Sequence, residues 1–333
     1  MTLPFVSCVI CCHNSAPRLA KTLAHLSAQK TSEDLRWEVI VVDNASTDDT
    51  AASARRHWQG PAGVPLRVIT EPQAGLIHAR LRALAESSGE IVCFIDDDNW
   101  VCADWVQKVA TFMHEHPEVG ALGGYNLPVA ENEFPAWFEK YRRYFAVAGE
   151  NTAEGDITDT GRMLVGAGFS LRKVAVQELL KDGFRFSLAG RSGRALSSGE
   201  DQELCLALQL TGWRLWRSSD ISLQHFLPEN RLRYSYVRNL LRGIGRSSVM
   251  LDPYLFLIEE RSGVTHHAHQ TFWLWRALSS LRDFCWFRLN GREIQAERAL
   301  GRMEMLCKLR GGYHERFSEI ANAPWLKTHK VCS

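Results

Sequence analysis

From residue 5 to residue 98 the chain alternates short, uniformly apolar runs with stretches of helical periodicity, and each apolar run gives way to polar residues. Residues 5–12 are β-rich and end at His13 and Asn14, after which Leu19, Leu23 and Leu26 recur at helical spacing. Residues 37–42 repeat the pattern and are closed by a segment from Asp43 to Thr50 whose Asp, Ser and Thr residues suit a helix N-cap. Residues 66–70 read as a third strand, 75–85 as a third helix, and 90–95 as a fourth strand running into Asp96, Asp97 and Asp98. Strands apolar on both faces must be covered on both, so a mostly parallel, Rossmann-like α/β sheet flanked by helices is expected. Ligands of such sheets bind beyond the carboxyl ends of the strands. Asn14, Asp43 and the aspartate triplet all fall there.

Beyond residue 120 the pattern loosens. Residues 120–128 and 162–171 read as strands or turns, 174–180 and 203–210 as helices, and 234–241, 272–287 and 292–309 as helices of a C-terminal extension. The expected organisation is an α/β domain over 1–228 and a helical region over 229–333. A chain of 333 residues has room for this, and 45% hydrophobic with 23% charged residues is a globular balance. No apolar run reaches the roughly 18 residues of a membrane span, and no basic segment precedes an apolar stretch at the N-terminus, so a cytoplasmic location is expected. Nine cysteines without a repeated metal-ligand spacing read as reduced thiols, with Cys8, Cys11 and Cys12 as packing residues.

The net charge of +1 hides a division along the chain. Residues 1–225 hold 22 basic against 28 acidic side chains, and residues 226–333 hold 17 against 10. An ordinary solvated helical surface accounts for the basic part, as does a surface that meets anionic lipid or an anionic acceptor. No nucleic-acid partner is expected.

Three carboxylates in succession cost energy unless a cation or strong donors neutralise them. Oxygen ligands suit Mg2+ or Mn2+, whereas an N-cap with solvated acids would account for only one aspartate. His225 alone reads either as a structural histidine or as a ligand. Gly199, Glu200 and Asp201 precede a helical segment; capping accounts for one of the two acids and leaves the other for a general-base role.

Residues 6–10 with Asn14, then 39–48, 75–80, 94–98, 199–201 and His225 together resemble a family 2 glycosyltransferase of GT-A fold, over roughly residues 4–230. The resemblance implies that His13, Asn14 and Asp43 hold the nucleotide base and ribose, and that Arg80 approaches the base or diphosphate. It makes Asp96 and Asp98 the outer carboxylates of the DXD motif, with Asp98 on the metal and Asp96 on the ribose or the metal's water shell. His225 would complete the metal site, Asp201 would be the catalytic base, and Glu200 would support it. Gly166 and Gly168 match the floor near the donor and acceptor sugar, though they read equally as turn glycines. Trp137 is the candidate acceptor contact among Trp100, Trp105, Trp137, Trp213 and Trp216, core packing being the alternative for each.

The implied reaction is inverting, metal-dependent transfer of one sugar from a nucleoside diphosphate sugar, UDP favoured, to a glycan or lipid-linked acceptor in polysaccharide or glycolipid biosynthesis. The alternative is an inactive nucleotide-sugar or glycan-binding module, which would be expected to have lost Asp98, Asp201 or His225; all three are present. A nicotinamide-binding reading fails for want of a Gly-rich turn after the first strand. The first-strand loop reads Cys11-Cys12-His13-Asn14 where the family commonly has a Pro-Thr or Pro-Ser pair, and the Gln-x-x-Arg-Trp motif of processive members is missing. In the tail, residues 272–275 and 284–287 are aromatic and interleaved with Arg276, Arg282 and Arg288. Peripheral contact with a membrane, packing within the chain and a homo-oligomer contact are the three readings. His266, His267 and His269 have no acid or cysteine at ligand spacing and read as a loop.

Overall fold

The computed structural model describes residues 2–149, 152–160, 162–188, 190 and 199–328. In chain order the elements are β1 (Val6–Cys12), α1 (Ala16–Ser27), β2 (Trp37–Asn44), α2 (Thr50–His57), β3 (Leu66–Glu71), α3 (Leu76–Glu86), β4 (Ile91–Phe94), β5 (Asn99–Val101), α4 (Trp105–Glu115), β6 (Val119–Val129) and α5 (Phe138–Tyr141). Then come β7 (Gly155–Asp156), β8 (Phe169–Arg172), α6 (Lys173–Lys181), α7 (Glu200–Leu210), β9 (Arg214–Phe226), α8 (Tyr234–Arg261), α9 (Trp273–Leu289), α10 (Glu293–Leu309), α11 (Gly311–Ala321) and α12 (Pro324–Thr328). The chain divides into two compact units, Met1–Glu178 with Trp213–Glu229, and Leu179–Gly212 with Asn230–Ser333. Residues 179–212, expected within the α/β domain, therefore group with the C-terminal helices.

The first unit holds one mixed sheet in the order β3-β2-β1-β4-β8-β6-β9-β5, with β7 against β9. β3, β2, β1 and β4 run parallel; β8 is antiparallel to both β4 and β6, while β9 is parallel to β6 and antiparallel to β5. The parallel reading thus describes the N-terminal half of the sheet, and the rest is mixed. β1, β2 and β4 are buried almost throughout, which is why they carry no alternation of polar residues. α1 covers one face with Leu19, Leu23 and Leu26. β3 is the edge, half-buried, and its Arg67 pairs with Glu86 at 2.8 Å and Glu38 at 3.5 Å, a charged rim that discourages pairing with another strand. Cys8 and Cys12 are core residues, and Cys11 is partly covered.

In the second unit, α8 continues to Arg261, far beyond residue 241, and includes Pro253. Gly245 is an interface residue rather than a breaker. A Cβ on Gly245 would stand 2.1 Å from the Arg298 carbonyl oxygen, and one on Gly301 would stand 2.0 Å from that of Arg242, so α8 and α10 touch backbone to backbone. Asp252 on α8 is buried, and its carboxylate accepts from Arg276 on α9 (3.3 Å), Arg302 on α10 (2.8 Å) and the Tyr313 hydroxyl on α11 (2.8 Å). One acid ties four helices together. Removing it leaves two guanidinium groups and a phenol without their acceptor, so Asp252→Ala should cost about 3 kcal/mol, read as a lowered urea midpoint; an unchanged midpoint would mean that apolar packing alone sets the bundle.

Candidate functional site

The carboxyl ends of β1, β2 and β4 bring three polar loops to one edge of the first unit. After β1, Asn14 adopts a left-handed backbone at φ 52°. Its side-chain oxygen accepts from the Thr47 backbone N–H at 2.8 Å, and its own N–H donates to Ser46 Oγ at 3.0 Å. His13 is exposed, with Nδ1 2.8 Å from the Asn44 carbonyl oxygen. At the end of β2 Asp43 is half-buried, and its Oδ1 is enclosed with no hydrogen-bond partner among the described residues. A buried acceptor of that kind is costly unless a ligand donates to it. The next residue, Asn44, donates to the carbonyls of Glu71 (3.0 Å) and Gln73 (2.7 Å) and accepts from the Gly75 N–H (2.8 Å), holding the turn that opens α3.

Arg80, on α3, is 7% exposed and lies over the Phe94 ring at 5.3 Å. Desolvation pushes the neighbouring Cys11 thiol up to about 12, Arg80 opposing the rise and Asp96 adding to it. Beyond β4 the three aspartates part company. Asp97 pairs with Arg18 of α1 at 2.5 Å, and its carbonyl accepts from Thr22 at 2.9 Å. The Asp96 N–H donates to the side-chain oxygen of Asn99 at 3.1 Å, while the Asn99 amide donates to Asp98 Oδ1 at 3.1 Å. Asp98 is 3% exposed and lies 3.6 Å from Nε2 of His225, which is 4% exposed. Register explains the meeting: Asn99 on β5 pairs with His225 on β9, and the Phe226 N–H donates to the Asp98 carbonyl at 2.9 Å.

Gly166 and Gly168 lie in the bend that leads into β8. Gly168 has φ 69°, and a Cβ there would stand 2.6 Å from Leu223, so the position needs glycine on two counts. Trp137 is half-buried among Phe138, Tyr141 and Phe145 at ring separations of 6.2–6.5 Å. Trp105 is a core residue and Trp100 stacks on Phe226, so both serve packing.

In the second unit Glu200, Asp201 and Glu203 occupy the first turn of α7, a favourable end for negative charge. Glu200 is buried, and Asp201 Oδ1 accepts from the Gln202 N–H at 2.8 Å. Glu203 is fully buried and accepts from the N–H groups of Ser187 and Leu188 at 3.0 Å and from the Tyr254 hydroxyl at 2.9 Å. Burial holds its carboxyl above the ordinary glutamate range, against the pull of those donors.

The family model described as Glycosyl transferase family 2 matches residues 7–180, more than half of the chain. The chain belongs to that family. An N-acetylglucosaminyltransferase of Rhizobium meliloti is 27% identical over 258 residues, which is 77% of this chain and 58% of that protein. The chain spans only about a third to three fifths of the first curated relatives it matches. Among solved structures, Staphylococcus aureus TarS 1-349 in complex with UDP-GlcNAc is 18–19% identical across its forms, here 19%, with 92% of each chain covered and a TM-score of 0.52. The mannosyltransferase PcManGT from Pyrobaculum calidifontis, in complex with GDP-Man and Mn2+, is 17% identical over 92% of this chain and 88% of that one, with a TM-score of 0.57. At these identities the likeness is one of fold, the GT-A fold.

Within this family 2 chain, the first unit carries His13, Asn14, Asp43, Asp96, Asp98 and His225 on loops and strand ends and Arg80 on α3. Asp98 and His225 form a close pair, but among the described residues no three His, Cys, Asp or Glu side chains converge as a complete metal cage. Three further residues matter to the geometry: Asn44, Asn99 and Glu203. A lone asparagine or a third acid in a helical turn has no periodicity to mark it, so only the contacts reveal their positioning role. Asn44→Asp keeps the acceptor but cannot donate to the two carbonyls. It should lower stability by about 2 kcal/mol, measured by urea unfolding; an unchanged midpoint would leave Asn44 without that role.

Proposed function

We propose that this chain transfers one sugar from a nucleoside diphosphate sugar, UDP-GlcNAc by preference, to a hydroxyl of a glycan or lipid-linked glycan, with inversion at the anomeric carbon. The observation that carries the reading is the buried Asp98–His225 pair at the end of β4 in a chain of this family. A carboxylate suits Mn2+ or Mg2+, the added imidazole favours Mn2+ over the harder Mg2+, and such ions take remaining ligands from water and phosphate. Asp98 and His225 would hold the ion, with Asp96 on its water shell or on the ribose. When bound, the ion offsets charge on the diphosphate leaving group.

Arg80 places a guanidinium where the same diphosphate gathers charge. The unpartnered Oδ1 of Asp43 accepts an N–H from the base, and uracil's imide supplies one. His13 and Asn14 line the base and ribose loop, and the bend of Gly166 and Gly168 forms the floor under the sugar. Trp137 presents the accessible part of its ring to the acceptor. Asp201, at the positive end of α7, takes the acceptor's proton as its oxygen bonds to the anomeric carbon and the carbon–phosphate oxygen bond breaks. Glu200 supports that carboxylate. The uridine preference rests on the N-acetylglucosaminyltransferase relative and on the UDP-GlcNAc complex of the structural neighbour; Mn2+ rests on the PcManGT complex.

The test is a donor screen that follows release of nucleoside diphosphate and glycosylated product. EDTA should stop transfer and added Mn2+ restore it, and Asp98→Asn should lower kcat/KM about 100-fold or more. Undiminished turnover in EDTA or in Asp98→Asn would reject the metal assignment. Asp201→Asn should bind nucleotide within about twofold of the parent while transfer falls about 1000-fold, the scale of a lost general base; transfer near the parent rate would place the base elsewhere.

A further inference from the structure

α9 leaves most of its large apolar side chains exposed. An amphipathic helix on a globular unit ordinarily turns its large apolar side chains inward. Here the fully buried positions are small, Ala277 and Ser280, and Arg276 reaches the buried Asp252, while Trp273, Phe284 and Phe287 are partly covered. The outward positions are Leu274, Trp275, Leu278, Leu281, Trp286 and Leu289, between 41% and 86% exposed. With Arg282 and Cys285 they recur every three or four residues, so they form one continuous stripe along the helix. Phe272, just before the helix, extends it at 52% exposed. Seventeen residues give the stripe a length of about 25 Å.

The charges bordering the stripe are mostly positive, Glu293 lying 3.9 Å from Arg288. Residues 272–292 contain four arginines and one aspartate. Arg282, Arg288 and Arg292 are exposed, and Arg292 lies over the Trp286 ring at 5.1 Å. Asp283 is paired with Arg282 at 2.8 Å. Among the described residues no helix is long and apolar enough to cross a membrane. A stripe of leucine and tryptophan edged by arginine fits the boundary between acyl chains and anionic headgroups, where tryptophan and arginine each keep a polar end in water. A second copy of this chain would bring the same arginines together, and like charge opposes that pairing.

We propose that the exposed face of α9 docks this protein on an anionic phospholipid surface, lying along it rather than through it. The inference goes beyond the sugar-transfer reading and does not depend on it. The test is flotation of the full-length protein with vesicles of phosphatidylcholine containing 30% phosphatidylglycerol, compared with pure phosphatidylcholine, at low and high salt. The wild-type protein should float with the anionic vesicles, at least tenfold more than with neutral ones, and less at high salt. The triple variant Trp275→Glu, Leu278→Glu, Trp286→Glu should lose flotation about tenfold while its circular dichroism and its turnover of a water-soluble donor and acceptor stay at the parent level. Arg282→Gln with Arg288→Gln and Arg292→Gln, which leaves the apolar stripe intact, should lose the anionic preference. Failure of the wild-type protein to float on anionic vesicles would overturn the proposal. So would a wild-type dimer in sedimentation that the triple variant converts to monomer, because the stripe would then be a contact between copies.

Discussion

Three aspartates at the end of one buried strand cannot all stay charged side by side without a counterweight, and the geometry of the first unit is organised around supplying it. Asp97 is discharged outward onto Arg18 of α1. The backbone of Asp96 and the side chain of Asp98 are both tied to one residue, Asn99. Asp98 is left almost fully buried with His225 as its neighbour, in a place where water contributes little. In the function proposed here, a divalent ion would supply the remaining counterweight and, through it, hold a diphosphate.

The same edge is kept in shape by asparagines. Asn14 joins the loop after β1 to the one after β2, Asn44 joins the end of β2 to the turn before α3, and Asn99 closes the aspartate loop. An asparagine side chain both donates and accepts, so one residue can satisfy two backbones that lie beyond the reach of sheet hydrogen bonds. Within the second unit Glu203 does comparable work, fixing the backbone at Ser187 and Leu188 to α7 and to Tyr254 of α8. These are supports: each fixes backbone next to a candidate site residue.

Much of this was legible in the chain itself because the parallel strands, apolar throughout, leave a strong signal, and their polar ends locate the site. β1, β2, β3 and β4 lie within a residue or two of the segments read from periodicity, and α3 begins one residue after its capping Gly75. Direction of pairing was not legible: β5, β7 and β8 have only two to four residues, too few for hydrophobicity to reveal that β8 runs against its neighbours. The length of α8 was hidden by Gly245 and Pro253, which look like breakers until the close crossing of α10 accounts for the glycine. The acids of α7 were expected ahead of a helix; they form its first turn, because the helix begins at Glu200. Asp252 gave no signal at all, since a single acid in an apolar segment is informative only once its arginine and tyrosine partners, 24 to 61 residues away, are in place.

The central claim is that Asp98 and His225 together hold a divalent cation against a nucleotide's diphosphate. Crystals grown with Mn2+ and UDP test it most directly, through the anomalous difference map collected at the manganese edge. A peak within coordination distance of both Asp98 and His225 Nε2, with diphosphate oxygens completing its shell, is the result this account predicts. UDP bound at the sheet edge with manganese absent from that pair, or manganese ligated by other residues, would contradict it.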